Sequence, residues 1–165
     1  MIKIFKLNSA AVKVILLMIM LTFFLPLIII SCEGEELAFS GLEITFGKRV
    51  DGLYLQDGNA FALILFVPAL ILLVLTFFVK RFGDTFLKNI FITAPIFNII
   101  AAVTFRIGAR LFILKKIADY LGDSYLYRGA LAGSISVRAG WGLILYIILN
   151  AALFAAASIN YFGKR

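Results

Sequence analysis

Between Ala60 and Val79 the chain reads AFALILFVPALILLVLTFFV, without a single charge. About 20 apolar residues is the length an α-helix needs to cross the hydrocarbon core of a bilayer. A helix that is apolar on every side has no solvent-facing stripe and calls for lipid or a large core around it. Three further stretches share this character. A first helix is expected over 12–31, its uncharged run beginning at Val14 after Lys3, Lys6 and Lys13. A third is expected over 90–114, uncharged from Ile90 to Phe105 and carrying Arg106 and Arg110 beyond, with a helical extension to 121. The fourth, over 139–162, has Trp141 near one end and Tyr161 near the other, where interfacial aromatic belts sit. In the second helix, over 60–79, Pro68 removes a backbone donor and is expected to kink it.

Hydrophobic residues make up 63% of the chain and mean hydropathy is +1.06. Soluble domains sit nearer half apolar, so the bilayer is the expected solvent. The expected fold is therefore all-α: a four-transmembrane-helix bundle forming one domain over 1–165. Outer loops span 32–59 and 122–138, and an inner loop spans 80–89.

Composition also excludes several kinds of chemistry. The chain has one cysteine and no histidine, so internal disulfides, Cys/His zinc sites and histidine-based nucleophilic triads cannot be built from it. No metal or other cofactor and no catalytic set is expected. Glu33, Glu35 and Glu36 could offer oxygens to calcium, but no Asp-x-Asp spacing accompanies them. The net charge of +7 is read as loop anchoring to anionic headgroups rather than nucleic-acid binding.

Orientation follows from the first helix. Lys3, Lys6, Lys13, Lys80, Arg81, Lys88, Lys164 and Arg165 fall on one side. Lys48, Arg49, Arg106, Arg110, Lys115, Lys116, Arg128 and Arg138 fall on the other, and the count is a tie. Three lysines precede the first helix and three glutamates follow it, and the first helix usually dominates. Both termini are thus expected in the cytoplasm of a cell with a multi-pass protein in its cytoplasmic membrane.

The border at Ile29-Ile30-Ser31-Cys32 allows two readings. In one, Met1–Ser31 is a lipoprotein signal and Cys32 becomes the lipidated first residue. In the other, preferred here, the helix is uncleaved and Cys32 marks where it surfaces; signal cores run about 7–15 apolar residues, and this run is longer. Beyond it, Leu37–Ser40 and Leu42–Phe46 read as short strands, and Ser134–Val137 alternates in the same manner. A small extracytoplasmic β cap is expected from the two outer loops, with Gly34, Ser40, Gly41, Glu43 and Gly47 in it.

Leu25-Pro26 at the end of helix one, Ser31-Cys32-x-Gly34, Ser40-Gly41-x-Glu43, Gly47 and the Gly140-Trp141-Gly142 start of the last helix form a spaced pattern. In this pattern the chain resembles a group of small, largely uncharacterised bacterial four-helix integral membrane proteins. That resemblance implies an uncleaved first helix and no assigned activity. The layout is also similar to claudin-like architecture, without a claudin sequence signature.

Inside the membrane the polar residues are Asn98, Asn150, Thr93, Thr104 and Ser158. Asn98 and Asn150 are expected to bond to each other and hold helices three and four together, at roughly 0.6–2 kcal/mol; a polar lining for a substrate is the alternative. Ala151, Ala152, Ala155 and Ala156 make a small-residue face for close helix packing. Arg106 and Arg110 share a helix face. At 1.5 Å per residue Arg106 lies about 24 Å from the inner edge, a depth from which it can snorkel to headgroups. Arg106, Arg110, Arg138 and Trp141 are accordingly expected to contact headgroups or a partner.

The chain is expected to be non-catalytic: an accessory or interaction subunit of a larger membrane assembly. Its partners would be the bilayer and another membrane protein, or a second copy. An oligomeric transporter or channel subunit is the alternative, and it would turn Asn98, Asn150 and Pro68 toward one water-filled cavity. An enzyme acting on lipids would need Glu43, Arg106, Arg110 and Arg138 in one outer cleft.

Overall fold

The computed structural model describes residues 10–32, 35–50, 53–56, 59–78, 84–120 and 135–162. Gly34 and the segment 121–134, which holds much of the second expected outer loop, lie outside them. The chain runs α1 (Ala10–Leu21), a 3-10 turn (Thr22–Phe24), β1 (Pro26–Cys32), β2 (Glu35–Ser40) and α2 (Gly41–Phe46). It continues through β3 (Lys48–Val50), β4 (Leu53–Gln56), a second 3-10 turn (Ala60–Ala62), α3 (Leu63–Phe77), α4 (Asp84–Tyr120), β5 (Ile135–Ala139) and α5 (Trp141–Phe162). The molecule is mostly helical, with a small three-stranded sheet.

Three helical stretches are long and apolar enough to cross a membrane: Ala60–Phe77, Asn89–Phe112 and Trp141–Ile159. Their outer faces are as apolar as their inner ones. Ile71, Phe77, Ile100, Ile107, Ile148 and Ile159 are all more than half exposed, a surface that water would not tolerate at this extent and lipid would. The helix expected over 90–114 with its extension is one continuous element, α4.

The first helix is shorter than expected. Its apolar run divides into α1 and β1, and the break falls before Pro26. Leu25 is extended (φ −86°, ψ 161°), as the residue preceding a proline tends to be. The three isoleucines that follow are stiff, β-branched residues that favour strands. An apolar run of this kind does not by itself distinguish a helix from a strand buried on both edges.

β1 is the centre of the sheet, in the order β2-β1-β5, with both pairings antiparallel. Ile28 faces Phe39 on one neighbour and Ala139 on the other; Ile30 faces Leu37 and Val137. Pairing on both edges satisfies the backbone groups of this apolar strand, which leaves it compatible with a position beside lipid. Sheet polarity alternates as the pleat demands. Ile28 and Phe39 are buried against the helices, while Ser31, Glu36 and Arg138 meet on the opposite face. The small sheet expected to draw on Leu37–Ser40 and Ser134–Val137 is present in part: β2 and β5 both belong to it, but each pairs with a central strand drawn from the expected first helix and not with the other.

The other correction concerns 42–46, expected as a strand and found as α2. Ser40 is its N-cap. The Glu43 amide donates to Ser40 Oγ at 3.3 Å, and the Ser40 amide donates to Glu43 Oε2 at 2.8 Å. This reciprocal capping box satisfies two otherwise orphaned backbone donors. Gly47 follows at φ 91°, a conformation that favours glycine, and turns the chain out of α2.

Contacts among helices run α1 with α3, α3 with α4, α4 with α5, and α5 back to α1, α4 and α5 packing most extensively. α1 lies along α3 with the ring of Phe23 5.1 Å from that of Phe66. At its other end Lys13 Nζ sits 4.6 Å from the ring centroid of Phe77. Those two contacts fix α1 antiparallel to α3 and bring it to the level where α3 ends.

Candidate functional site

Asn98 and Asn150 come from α4 and α5 and are fully buried. Asn98 Nδ2 donates to Asn150 Oδ1 at 2.8 Å, and Asn150 Nδ2 donates to the Tyr146 carbonyl one turn back, at 2.9 Å. The expected interhelical bond is thus made. Asn98 Oδ1 and the Tyr146 hydroxyl, also buried, have no hydrogen-bond partner among the described residues. Tyr146 belongs to this polar cluster and sequence reasoning missed it, because a tyrosine within an aromatic-rich membrane helix carries no signal of a polar role. The hydroxyls of Thr93 and Thr104 bond carbonyls one turn earlier in α4, at 2.9 Å each, so they supply no lining.

The alanines do not all point inward. Ala157 is buried and Ala156 half-buried, whereas Ala151, Ala152 and Ala155 are exposed on the outside of α5. Interhelical packing within the chain therefore uses Asn150, Leu153 and Ala157, and the smooth outward strip faces away from the other helices.

At the opposite end, the cap residues divide by role. Ser40 and Glu43 form the capping box. Gly41 lies so close under Phe23 that a Cβ there would stand 2.3 Å from its ring. Gly140 and Gly142 seat the start of α5 on the α1–β1 junction: a Cβ on Gly140 would stand 2.2 Å from the Pro26 carbonyl oxygen, and one on Gly142 2.9 Å from the Thr22 oxygen. The Gly140 amide donates to the Leu27 carbonyl at 2.9 Å. The glycines on either side of Trp141 are thus places where backbone meets backbone. Trp141 itself is 75% exposed, as an interfacial anchor would be.

The four arginine and glutamate candidates separate. Arg138 is paired with Glu36 across the sheet and donates to Ser31 Oγ at 3.2 Å, so it holds the cap together. Arg106 and Arg110 line a groove of about 390 Å³ between α4 and the β5–α5 corner, with Val103, Ile107, Val137 and Ile144 among its walls. Neither Glu43 nor Arg138 lines it. The convergence that a lipid-modifying enzyme would require is not found in this groove. Cys32 ends β1, opposite Glu35 and Ile135 in register.

A second cavity, of about 310 Å³, lies between the cap and α4. Phe39, Ile44, Phe61, Phe105, Gly108 and Phe112 line it, and Asn59 is its one polar side chain among the described residues. Asn59 Oδ1 already accepts from the Phe61 amide at 2.9 Å, capping the turn into α3. The sequence carries no mark of this cavity, because its walls come from five separate elements.

No group of His, Cys, Asp and Glu suited to a metal ion occurs among the described residues. No protein-family model matches the chain, and no curated protein or solved structure matches it significantly.

Proposed function

We propose that this chain is a non-catalytic accessory or interaction subunit of a larger membrane assembly. It would be a four-span protein of a bacterial cytoplasmic membrane, with both termini cytoplasmic and the sheet outside. The observation that carries the reading is the Asn98–Asn150 bond. A transporter or channel subunit would turn these amides toward a water-filled path; here they close on each other, fully buried between α4 and α5. Meanwhile Ala151, Ala152 and Ala155 present a smooth outward strip on the helix that the pair holds in place, and small residues allow a partner helix to approach closely.

The count of four spans draws support from α1, which reaches the level of Phe77 through Lys13 although it is shorter than a full span. The bacterial setting rests on the resemblance set out above. Retention of residues 1–31 draws support from packing. Processing at Cys32 would remove Val12, Leu16 and Ile19, all buried, and nearly all of the central strand.

Native mass spectrometry of the tagged protein, released gently from its own membrane, tests the reading. A photo-crosslinking residue at Ala152 supplies the contact point. The expected result is one larger membrane protein bound in fixed ratio and crosslinked through Ala152. A homo-oligomer without another protein would overturn the accessory role and favour the transporter subunit.

A further inference from the structure

We propose that the groove between α4 and the β5–α5 corner is a binding site for one anionic membrane phospholipid, its phosphate held by Arg106 and Arg110. The proposal rests on the reading of the chain as bilayer-spanning and goes beyond it by assigning a saturable ligand site.

Depth is the first argument. Counting from Ile90 at 1.5 Å per residue, Arg106 lies about 24 Å and Arg110 about 30 Å along α4. The hydrocarbon core is about 30 Å thick, so the two guanidinium groups stand at its outer boundary, where phosphates lie. Their Cα atoms are one turn apart on one face. Both side chains are exposed, and neither has an ion-pair partner among the described residues, unlike Arg138, which is engaged by Glu36. An unpaired guanidinium at the edge of hydrocarbon is costly, and it is stabilised most by an anion it can grip with paired N–H donors.

The groove supplies the rest of the ligand's shape. Beside and below the arginines its walls include Val103, Ile107, Leu143, Ile144 and Ile147. On α5, Ile147 lies two turns deeper than Gly140, so the apolar walls run from the cap into the hydrocarbon beside the charged rim. A headgroup above and an acyl chain below fit this sequence of surfaces. Among the described residues the lining contains two cations and no carboxylate. A zwitterionic lipid would bring an ammonium group beside two guanidinium groups with nothing to neutralise it. A phosphatidylglycerol-type lipid brings no such cation, and charge complementarity therefore selects the anionic class.

The test uses the full chain in nanodiscs and in detergent, with native mass spectrometry counting retained lipids. One phosphatidylglycerol per chain should survive exchange into excess phosphatidylcholine. Arg106→Gln with Arg110→Gln should weaken that retention by roughly tenfold for each guanidinium removed, the worth of one charge-assisted hydrogen bond. Val103→Trp, at a position half exposed on the outside of α4, should weaken it as well with both arginines in place. Equal retention of phosphatidylglycerol and phosphatidylcholine by the native chain would overturn the proposal. So would unchanged retention in the Val103→Trp variant, a measurement that stands even where the double glutamine variant fails to fold. Displacement of the lipid by millimolar inorganic phosphate would assign the arginines to a free anion instead. Carbonate extraction of the same membranes keeps the two readings apart: a protein released by carbonate does not span the bilayer, whereas one that stays and shows no lipid preference spans it without this site.

Discussion

Gly140 is the residue on which the junction of helix and sheet depends. Its missing Cβ would stand 2.2 Å from the Pro26 carbonyl oxygen, and a backbone atom cannot swing aside as a side-chain tip does. Gly140→Ala is therefore expected to destabilise the fold by about 2–3 kcal/mol, the range of overpacked cores. A drop in thermal midpoint in detergent checks it, and a midpoint equal to that of the native chain would refute the contact. Tyr146 makes the opposite case. Its buried hydroxyl lacks a partner among the described residues, and an unsatisfied buried polar group costs about 1–3 kcal/mol. Tyr146→Phe should thus be neutral or raise the midpoint, whereas Asn98→Leu, which leaves Asn150 without its donor, should lower it. At this scale the sequence was partly legible. Two asparagines in uncharged spans announce a polar pair, because hydrocarbon forces such groups to find each other. The glycines were visible as a Gly-Trp-Gly pattern, but no pattern states which carbonyl they rest on.

The elements were legible where length alone decides. α3, α4 and α5 stand within a few residues of the expected spans, since a long uncharged run has few other solutions. The first span shows where that reasoning ends. Val14 to Ile30 is uncharged throughout, yet hydropathy does not report how the backbone closes its hydrogen bonds. Pro26 and the three isoleucines after it were the available signals, and they point to a strand. α2 was misread as a strand, although the sequence holds a signal for it: Ser40-x-x-Glu43 is a capping box, which outweighs the alternation of Leu42, Ile44 and Phe46. Ser40→Ala is expected to cost about 1 kcal/mol. Glu43→Gln, which keeps an acceptor for the Ser40 amide, should cost less. Chemical denaturation of the two variants in the same detergent gives the order, and an equal loss in both would mean that the carboxylate's charge rather than its cap holds α2.

Viewed as a whole, the chain places its two ends of charge on opposite faces of one apolar slab. Lys13 lies over Phe77 at the far end of α1, while Ser31, Glu36 and Arg138 gather on the sheet at the near end. The sheet can occupy only one side, because β1, β2 and β5 all sit at the same end of α1 and α5. Lys3 and Lys6 before α1 and Lys13 in its first turn favour keeping that end in the cytoplasm, and the proposed orientation then puts the sheet outside. The chain's one cysteine makes this measurable, since Cys32→Ser clears the background. The serine should leave membrane association and apparent mass unchanged, as an uncleaved α1–β1 unit requires; a mass shift between the native chain and this variant would reveal processing. In that variant, Ser136→Cys on exposed β5 is expected to react with a membrane-impermeant maleimide in intact cells. Asn89→Cys, at the start of the α4 span, should react only after the membrane is opened. The reverse pattern would invert the orientation and place the sheet in the cytoplasm. It would also move the Arg106–Arg110 groove to the inner leaflet, where anionic lipid meets it from the other side.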